Sequence, residues 1–533
     1  MTQPNSDLDP ALRGPLERVL RLADDLAGAW GARARASTTL AIERAHLRLF
    51  GVGGLDRAGL PLASTVVERG IGRARERLGR GIALPFAIAL VEYDVPPQQL
   101  ALDVTSGAVD LGFEAELLAE PDRRAAAEGE ARRLVRVAFE RIDANRTARL
   151  ELAAALGEPA RPWLAATLAA PNLDAAPAEV ARLVEAGADI VKVRTPAIRE
   201  LVLRLHDRGL EPHEWRPRGE GDDDTDPATV PAGSQRSLAV LRAAVDEAAA
   251  EERRYVRLAT AAPALAAPEQ ALVAALERVD LVEADPLAEI VAGGVDPDRA
   301  LADHAFARRL LERAGVPVVL GPGPLVVAPD IARGIPSDSA TRAGRAFALQ
   351  AVGVALARGD GLEPGRLFAG ALVPWLAEEV DPLSQALAQV IVRRAAWPEI
   401  PFVFEEPNLP DRAAARWPFL LAVGLAAAHG GAVVSRTAAA AGLGRVAEET
   451  RAAAAIAAEL SALGPAARGG PAIRHASALL AAATTTLERL ADEGWRSILG
   501  EPLGGPGRER LGADAVVERT EAFDALGLEL AGG

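Results

Sequence analysis

The feature that most constrains this fold is the alternation of short apolar segments with amphipathic helical segments between residues 162 and 438. Eight apolar segments, bounded by Gly, Pro, Asn or Asp, are predicted to be strands. They are PWLAATLAAPN (162–172), ADIVKVRT (188–195), YVRLAT (255–260), VDLVEAD (279–285), VPVVLGPG (316–323), RLFAGALVP (366–374), IPFVFEEPN (400–408) and GGAVVSRTA (430–438). Strands that alternate with helices form a parallel sheet, and eight such units predict closure as a (β/α)8 TIM barrel in an α/β fold. An open doubly wound sheet is the alternative.

The residues on either side of this alternation predict helices. Apolar positions recur every three or four residues over 11–50, 64–78 and 125–150, which is the spacing of one helix face. Residues 440–497 predict two Ala-rich helices, and the last residues predict a disordered tail. We therefore expect an N-terminal helical region at 1–155, the barrel at 156–440, and C-terminal helices and tail at 441–533.

Composition and motifs argue against several classes of function. The net charge is −15, and an acidic surface repels the phosphates of nucleic acid. The chain has no cysteine, which excludes disulfides and thiolate sites, and its six histidines lack metal-ligand spacing. It lacks the glycine-rich phosphate-binding motifs and the G-x-S-x-G elbow. The N-terminus lacks signal-peptide order and no apolar run is long enough for a membrane span, so we expect a cytoplasmic protein.

The candidate site residues follow from the predicted fold. In TIM barrels the chemistry lies at the carboxyl ends of the strands. Polar residues at those ends are Asn172, Arg194, Thr195, Thr260, Asp285, Glu405, Glu406 and Arg436. Glu405 and Glu406 are candidate anchors for a cationic substrate group, and the alternative is a solvated loop pair.

Lys192 is a further candidate, because it is the only lysine among 59 basic residues. Lysine, unlike arginine, can form a Schiff base. Lys192 and Arg194 alternate onto one face of the second strand. If Arg194 faces the barrel mouth, Lys192 lies one layer beneath it, and a phosphate-bearing ligand would offset both charges, with Asp285 as a candidate counter-ion. The alternative is that both cations face outward or form structural pairs.

Several segments in order resemble the family of lysine 5,6-aminomutase large subunits. They are TTLAIERAHLRLFGVGGLD (38–56), PLASTVVERG (61–70), NRTARLE (145–151), AGADIVKVRT (186–195), YVRL (255–258), ERVDLVEAD (277–285) and DHAFARRL (303–310). Their order and spacing, which cover roughly residues 20 to 440, make the resemblance specific.

The resemblance implies a (β/α)8 barrel that shares adenosylcobalamin and pyridoxal phosphate (PLP) with a partner. The partner would be a small cobalamin-binding subunit that carries a D-x-H-x-x-G motif and the Schiff-base lysine. The reaction implied is radical migration of an amino group to the neighbouring carbon of an amino acid. Such a subunit would work in a hetero-oligomer, without nucleic acid or membrane.

The resemblance also implies roles for individual residues. Arg194, with Thr195, falls on the family arginine that contacts the PLP phosphate, Asn172 on the loop after the first strand, and Asp285 on the loop after the fourth. Other family contacts are replaced here, at Arg199, TAAP (260–263), Ala288, Gly293, Pro322, Gly323 and Arg436. Three readings follow: a diverged aminomutase subunit, a catalytically impaired paralogue with a structural or regulatory role, and a self-contained barrel enzyme that uses Lys192 as a Schiff-base lysine.

Overall fold

The computed structural model describes residues 8–54, 56, 61–71, 75–168, 174–193, 230–263, 265–292, 295–321, 338–370, 382–405, 432–435, 443, 448, 452, 455, 470–499, 516–520 and 523–526.

The N-terminal part of the chain is helical, with one short strand. Its elements are α1 (Pro10–Ala36), β1 (Ser37–Thr39), α2 (Leu40–Leu49), α3 (Leu62–Ile71), α4 (Arg75–Arg80), α5 (Ala83–Tyr93), α6 (Pro97–Ser106), α7 (Leu111–Leu117) and α8 (Pro121–Leu156). α1 begins after Asp9, whose carboxylate accepts a hydrogen bond from the backbone N–H of Ala11. The helix predicted at 125–150 is confirmed within the longer α8, and the one predicted at 64–78 is two helices, α3 and α4.

The eight predicted strands form a closed parallel barrel. They are β2 (Trp163–Leu168), β3 (Ile190–Val193), β4 (Arg257–Ala261), β5 (Leu281–Glu283), β6 (Val318–Leu320), β7 (Leu367–Gly370), β8 (Phe402–Glu405) and β9 (Ala432–Ser435). Each strand pairs with the next in sequence, and β9 pairs with β2. The TIM barrel is confirmed, and the alternative of an open sheet is wrong.

Helices alternate with these strands and then follow them. Those between strands are α9 (Ala176–Glu185), α10 (Val230–Glu251), α11 (Ala267–Leu276), α12 (Pro286–Ala292), α13 (Pro297–Arg313), α14 (Ser339–Gly359) and α15 (Pro382–Ala396), with a 3-10 turn at Pro364–Arg366. After the barrel come α16 (Gly470–Glu493), α17 (Arg496–Leu499) and β10 (Val516–Glu518). Side chains from all three predicted segments belong to one hydrophobic core cluster.

The chain ends meet in a small sheet that the sequence patterns did not predict. β1 pairs antiparallel with β10, and Thr38 lies opposite Val517. The prediction of one helix over 11–50 is therefore wrong at β1, because the β1 backbone bonds to a strand distant in sequence. Thr39 then caps α2 by accepting a hydrogen bond from the N–H of Ile42. The prediction of a disordered tail is wrong at β10 for the same reason.

Helix α8 is fastened to the amino end of the barrel through side chains that cap other elements. The Asn145 amide donates to the carbonyls of Ala275 and Leu276, at the end of α11. The Arg149 guanidinium donates to carbonyls that lie just before β5 and β6, at Val279 (3.2 Å), Ala314 (2.9 Å) and Gly315 (2.7 Å). Helix ends leave such carbonyls unpaired, so these bonds join the N-terminal region to the barrel.

Candidate functional site

The amino end of the barrel interior is closed by aromatic and cationic side chains. The Trp163 and Phe368 rings pack with their centroids 5.9 Å apart. The Arg257 guanidinium lies 3.6 Å from the centroid of the Trp163 ring and forms an ion pair with Glu158. Arg161 lies over the same tryptophan at 4.4 Å. Stacked cations and large rings fill this end, so we expect no ligand site there.

Above this layer the interior is apolar. The residues that pack there are Ala165, Ile190, Ala259, Leu281, Val319 and Val403. They come from alternating positions on six strands, as expected when side chains alternate between the interior and the helix layer. This apolar layer forms a floor beneath the carboxyl end of the barrel.

The next layer toward the carboxyl end holds an ion pair. Lys192 follows Ile190 by two residues and Glu283 follows Leu281 by two, so both keep the inward direction. The Lys192 Nζ donates a hydrogen bond to the Glu283 Oε1. The Lys192 side chain is 12% exposed and the Glu283 side chain 31% exposed, so the carboxylate is the more accessible partner. The sequence left open whether Lys192 faces inward or forms a structural pair, and in the structure it faces inward and pairs with a carboxylate of the same chain.

Strand β4 lies between the strands that carry this pair and makes the contact possible. Its residues in register are Ala259, opposite Lys192, and Ala261, opposite Glu283. Two strand spacings separate β3 from β5, roughly 10 Å, which two long side chains can bridge only over small neighbours. The alternation that turns Ala259 and Ala261 inward also turns Thr260 toward the helices, so Thr260 does not belong to the mouth.

Asp285 is bound by the backbone. Its Oδ1 accepts a hydrogen bond from the N–H of Leu287, in the first turn of α12, and its Oδ2 accepts one from the N–H of Gly321, just after β6, both at 2.9 Å. Burial raises the pKa of Asp285, and these two N–H groups oppose the shift. The prediction of Asp285 as counter-ion of Lys192 is wrong. Glu283 has that role, because it ends the strand that faces the interior, whereas Asp285 joins two loops.

The remaining predicted site residues lie outside what the structure describes. Arg194, Thr195, Asn172, Glu406 and Arg436 fall in undescribed ranges, and Glu405 is the last residue of β8 with its side chain undescribed. Their roles stay predictions. Glu283 is the residue that sequence reasoning missed. The sequence could have indicated Glu283, because it lies two residues after Leu281 in VDLVEAD and so points to the same face of the strand as that core residue.

Two general properties bear on the site. In the part of the chain that the structure describes, no three His, Asp or Glu side chains come together as metal ligands. Across the same residues, none of the helices combines the length and apolar character required to cross a membrane.

Comparison with known proteins places this barrel in a family. Residues 13–408 match the family described as the D-lysine 5,6-aminomutase TIM-barrel domain of alpha subunit. The chain belongs to this family.

Individual relatives agree with this placement. The lysine 5,6-aminomutase alpha subunit of Fusobacterium nucleatum is 26% identical over 297 residues, 54% of this chain and 51% of that protein. The one from Acetoanaerobium sticklandii is 26% identical over 288 residues, 53% and 51% of the two chains. The chain thus spans about half the length of the curated relatives it matches. Among solved structures, Yersinia pestis dihydropteroate synthase overlaps with this chain at a TM-score of 0.30 and 14% sequence identity. The overlap covers 56% of this chain and 94% of that one, and it is too weak to indicate a shared function.

Many residues of the aminomutase-like segments have scaffold roles in the structure. Asn145 and Arg149, from NRTARLE, fasten α8 to the barrel. Asp280, from ERVDLVEAD, is buried and accepts hydrogen bonds from Arg242, from the Tyr255 hydroxyl and from the Leu258 N–H. These groups lie at the amino ends of the strands, where TIM barrels place stabilising residues and not catalytic ones. At these positions the resemblance reflects the architecture of the barrel.

Proposed function

We propose that this chain is the barrel subunit of an adenosylcobalamin- and PLP-dependent aminomutase, which moves an amino group between neighbouring carbons of an amino acid such as lysine. Membership of the aminomutase alpha-subunit family supports the class of reaction. The observation that carries the proposal is the ion-paired layer at the carboxyl end of the barrel. Barrel interiors are usually filled by branched aliphatic side chains, and a charged layer there is typical of a ligand site.

The described residues fit a flat, charged cofactor above this layer. Ala261 and Gly370, which keep the inward parity of Ala259 and Phe368, contribute little volume at their strand ends. Lys192 is bonded to Glu283, so the phosphate of PLP requires a further cation. We propose Arg194 with Thr195 for that contact, because Arg194 follows Lys192 by two residues in ADIVKVRT, where the sequence alternation predicts the same direction. Asn172 and Asp285 are proposed to line the cofactor from neighbouring loops.

When bound, the two cofactors would supply the radical rearrangement itself, and the chain's own residues would supply binding and protection. The apolar floor of Leu281, Val319 and Val403 excludes water from below. Lys192 and Glu283 fix one positive and one negative charge at defined places in the mouth. Glu405 and Glu406 are proposed as further acidic contacts for a cationic substrate group.

The proposed partner is a cobalamin-binding subunit, because this chain lacks one of the known cobalamin-binding motifs. The chain contains no D-x-H-x-x-G motif, so it has no recognisable cobalamin-binding module of that type. We propose a small cobalamin-binding partner subunit that carries this motif together with the Schiff-base lysine, in a hetero-oligomer in the cytoplasm.

The experiment is a titration of the chain plus the partner with PLP, read by visible absorbance, followed by an assay for amino migration with adenosylcobalamin. We expect an absorbance change and isomerised amino acid. Arg194→Met should weaken PLP binding by about tenfold to a hundredfold, since a charged hydrogen bond contributes about 1.5–3 kcal/mol. The matched control is Arg182→Met, on the exposed face of α9, which should bind PLP as the unchanged protein does. Absence of any PLP-dependent absorbance in the complex would overturn the proposal.

A second candidate is a catalytically impaired paralogue of the same subunit, with a structural or regulatory role. The observation that favours it is the set of replaced family contacts, among them TAAP (260–263), Ala288 and Gly293. It predicts a complex that forms with the partner but shows neither PLP absorbance nor turnover. The self-contained enzyme that would use Lys192 as a Schiff-base lysine is less well supported, because membership of the aminomutase alpha-subunit family supports a different class of reaction.

A further inference from the structure

The ion pair of Lys192 and Glu283 contributes little to folding stability by itself. A salt bridge that is partly removed from water gains little net free energy, because desolvation of both charges offsets their attraction. The helices around the barrel and the apolar floor already provide a continuous core. Aliphatic side chains at these two positions would pack the interior at least as well.

The arrangement of the pair defines the ligand that would suit it. A purely anionic group would be repelled by Glu283, and a purely cationic one by Lys192. A ligand that carries both charges side by side can lie antiparallel to the pair, so that every charge has an opposite neighbour. An ammonium and a carboxylate on one carbon, the head of an α-amino acid, have this form.

We propose that Lys192 and Glu283 together bind the zwitterionic head of the substrate amino acid, Lys192 contacting its carboxylate and Glu283 its ammonium. The inference rests on the proposed function, since it names the part of the substrate that the barrel holds. The greater exposure of Glu283, 31% against 12% for Lys192, places the carboxylate nearer to an incoming ammonium. Ala261 leaves space beside Glu283 in the same layer.

The test is calorimetric binding to the full chain of three ligands that share the same distal amine. They are lysine in both enantiomers, cadaverine, which lacks the α-carboxylate, and ε-aminocaproate, which lacks the α-ammonium. The unchanged protein should bind at least one enantiomer of lysine about tenfold or more tightly than either analogue, because each analogue leaves one protein charge unmatched.

Two variants should reverse this selectivity in opposite directions. Lys192→Met leaves Glu283 unbalanced, so cadaverine should bind as tightly as lysine or more tightly. Glu283→Gln removes the negative charge beside Lys192, so ε-aminocaproate should gain in the same way. Loss of a purely structural salt bridge would weaken all three ligands alike. The matched control is the exposed pair of Arg18 and Glu488, whose substitution by methionine and glutamine should change no affinity.

Circular dichroism would establish that the variants fold. If Lys192→Met fails to fold, the exchanged pair of Lys192→Glu with Glu283→Lys retains the salt bridge, and it should weaken lysine binding by about tenfold because the two charges are reversed. No binding of lysine by the unchanged protein, or the same order of ligands in all folded variants, would overturn the inference. Lysine binding with the expected selectivity but no turnover with the partner would instead overturn the proposed function alone.

Discussion

Gly321 lies where β6 ends, and replacing it with alanine tests how the loops at the barrel mouth are held. Its N–H donates to the Asp285 Oδ2 at 2.9 Å. A Cβ at this position would lie 2.6 Å from the same oxygen and 3.2 Å from the Asp285 Cβ. Asp285 must therefore move away by roughly 0.8 Å to reach ordinary contact, which takes the N–H and the carboxylate beyond hydrogen-bonding range.

The expected cost follows from the lost bond. A hydrogen bond to a buried carboxylate contributes about 1.5–3 kcal/mol, so Gly321→Ala should lower the free energy of unfolding by about 2 kcal/mol near neutral pH. Burial already raises the pKa of Asp285 above 3.8, so folding stability falls as pH rises from the unfolded value through the folded one. Loss of the Gly321 N–H raises that pKa further. The pH-dependent part of the deficit should therefore be absent when Asp285 is protonated in both proteins and complete above the higher folded pKa that it has in the variant.

Urea unfolding of both proteins at several pH values, from about pH 4 to about pH 8, measures this dependence. The matched control is Gly353→Ala, inside α14, where a Cβ would meet only the Leu287 Cδ1 at 3.6 Å. That change should be neutral or stabilise by up to about 1 kcal/mol, because alanine favours helix. A deficit in Gly321→Ala below about 0.5 kcal/mol, or one that does not vary with pH, would refute the account of Asp285.

Three further predictions concern the scaffold. Arg149→Met should lower the free energy of unfolding in urea by about 2–4 kcal/mol, since three carbonyls lose a charged donor. The control is Arg133→Met at an exposed position of the same helix, which should cost under about 0.5 kcal/mol. Equal losses in the two variants would contradict the role of Arg149. Gly344→Ala should lower the thermal midpoint strongly. The added Cβ would lie 2.5 Å from the Leu479 carbonyl oxygen, where α14 packs against α16. An unchanged midpoint would refute that packing. Asp303→Ala should cost about 3–5 kcal/mol by removing a buried carboxylate that the Arg299 guanidinium binds, and a urea midpoint like that of the unchanged chain would be inconsistent with this.

Part of the candidate site could be predicted from the sequence, and the reason is the strand period. Alternation in ADIVKVRT put Lys192 on one face of its strand without deciding whether that face is inside the barrel, and alternation in VDLVEAD puts Glu283 on the same face as the core residue Leu281. The partner of Lys192 was assigned wrongly to Asp285, because the choice between two carboxylates two residues apart depends on where β5 ends. Asp285 lies beyond that end, where the N–H groups of α12 and Gly321 bind it.

The contact between the charges depends on a third strand. Lys192 and Glu283 meet because β4 presents Ala259 and Ala261 between them. No pattern within one segment shows this, since it follows from the register of three strands. The same limit applies to β1 and β10, whose pairing joins residues near opposite ends of the chain.

The sequence by itself predicted eight alternating strand and helix units and therefore a parallel sheet, and the structure decided that this sheet closes as a barrel. Ordered segments of the sequence also indicated the family, and some of their residues, such as Asn145, Arg149 and Asp280, bind neighbouring elements of the barrel. The tertiary structure alone decided that Lys192 meets Glu283 at the mouth, whereas Asp285 binds the backbone N–H groups of two loops. The physical reason is that periodicity sets the direction of a side chain, whereas a salt bridge depends on the distance between strands and on the size of the residues that separate them.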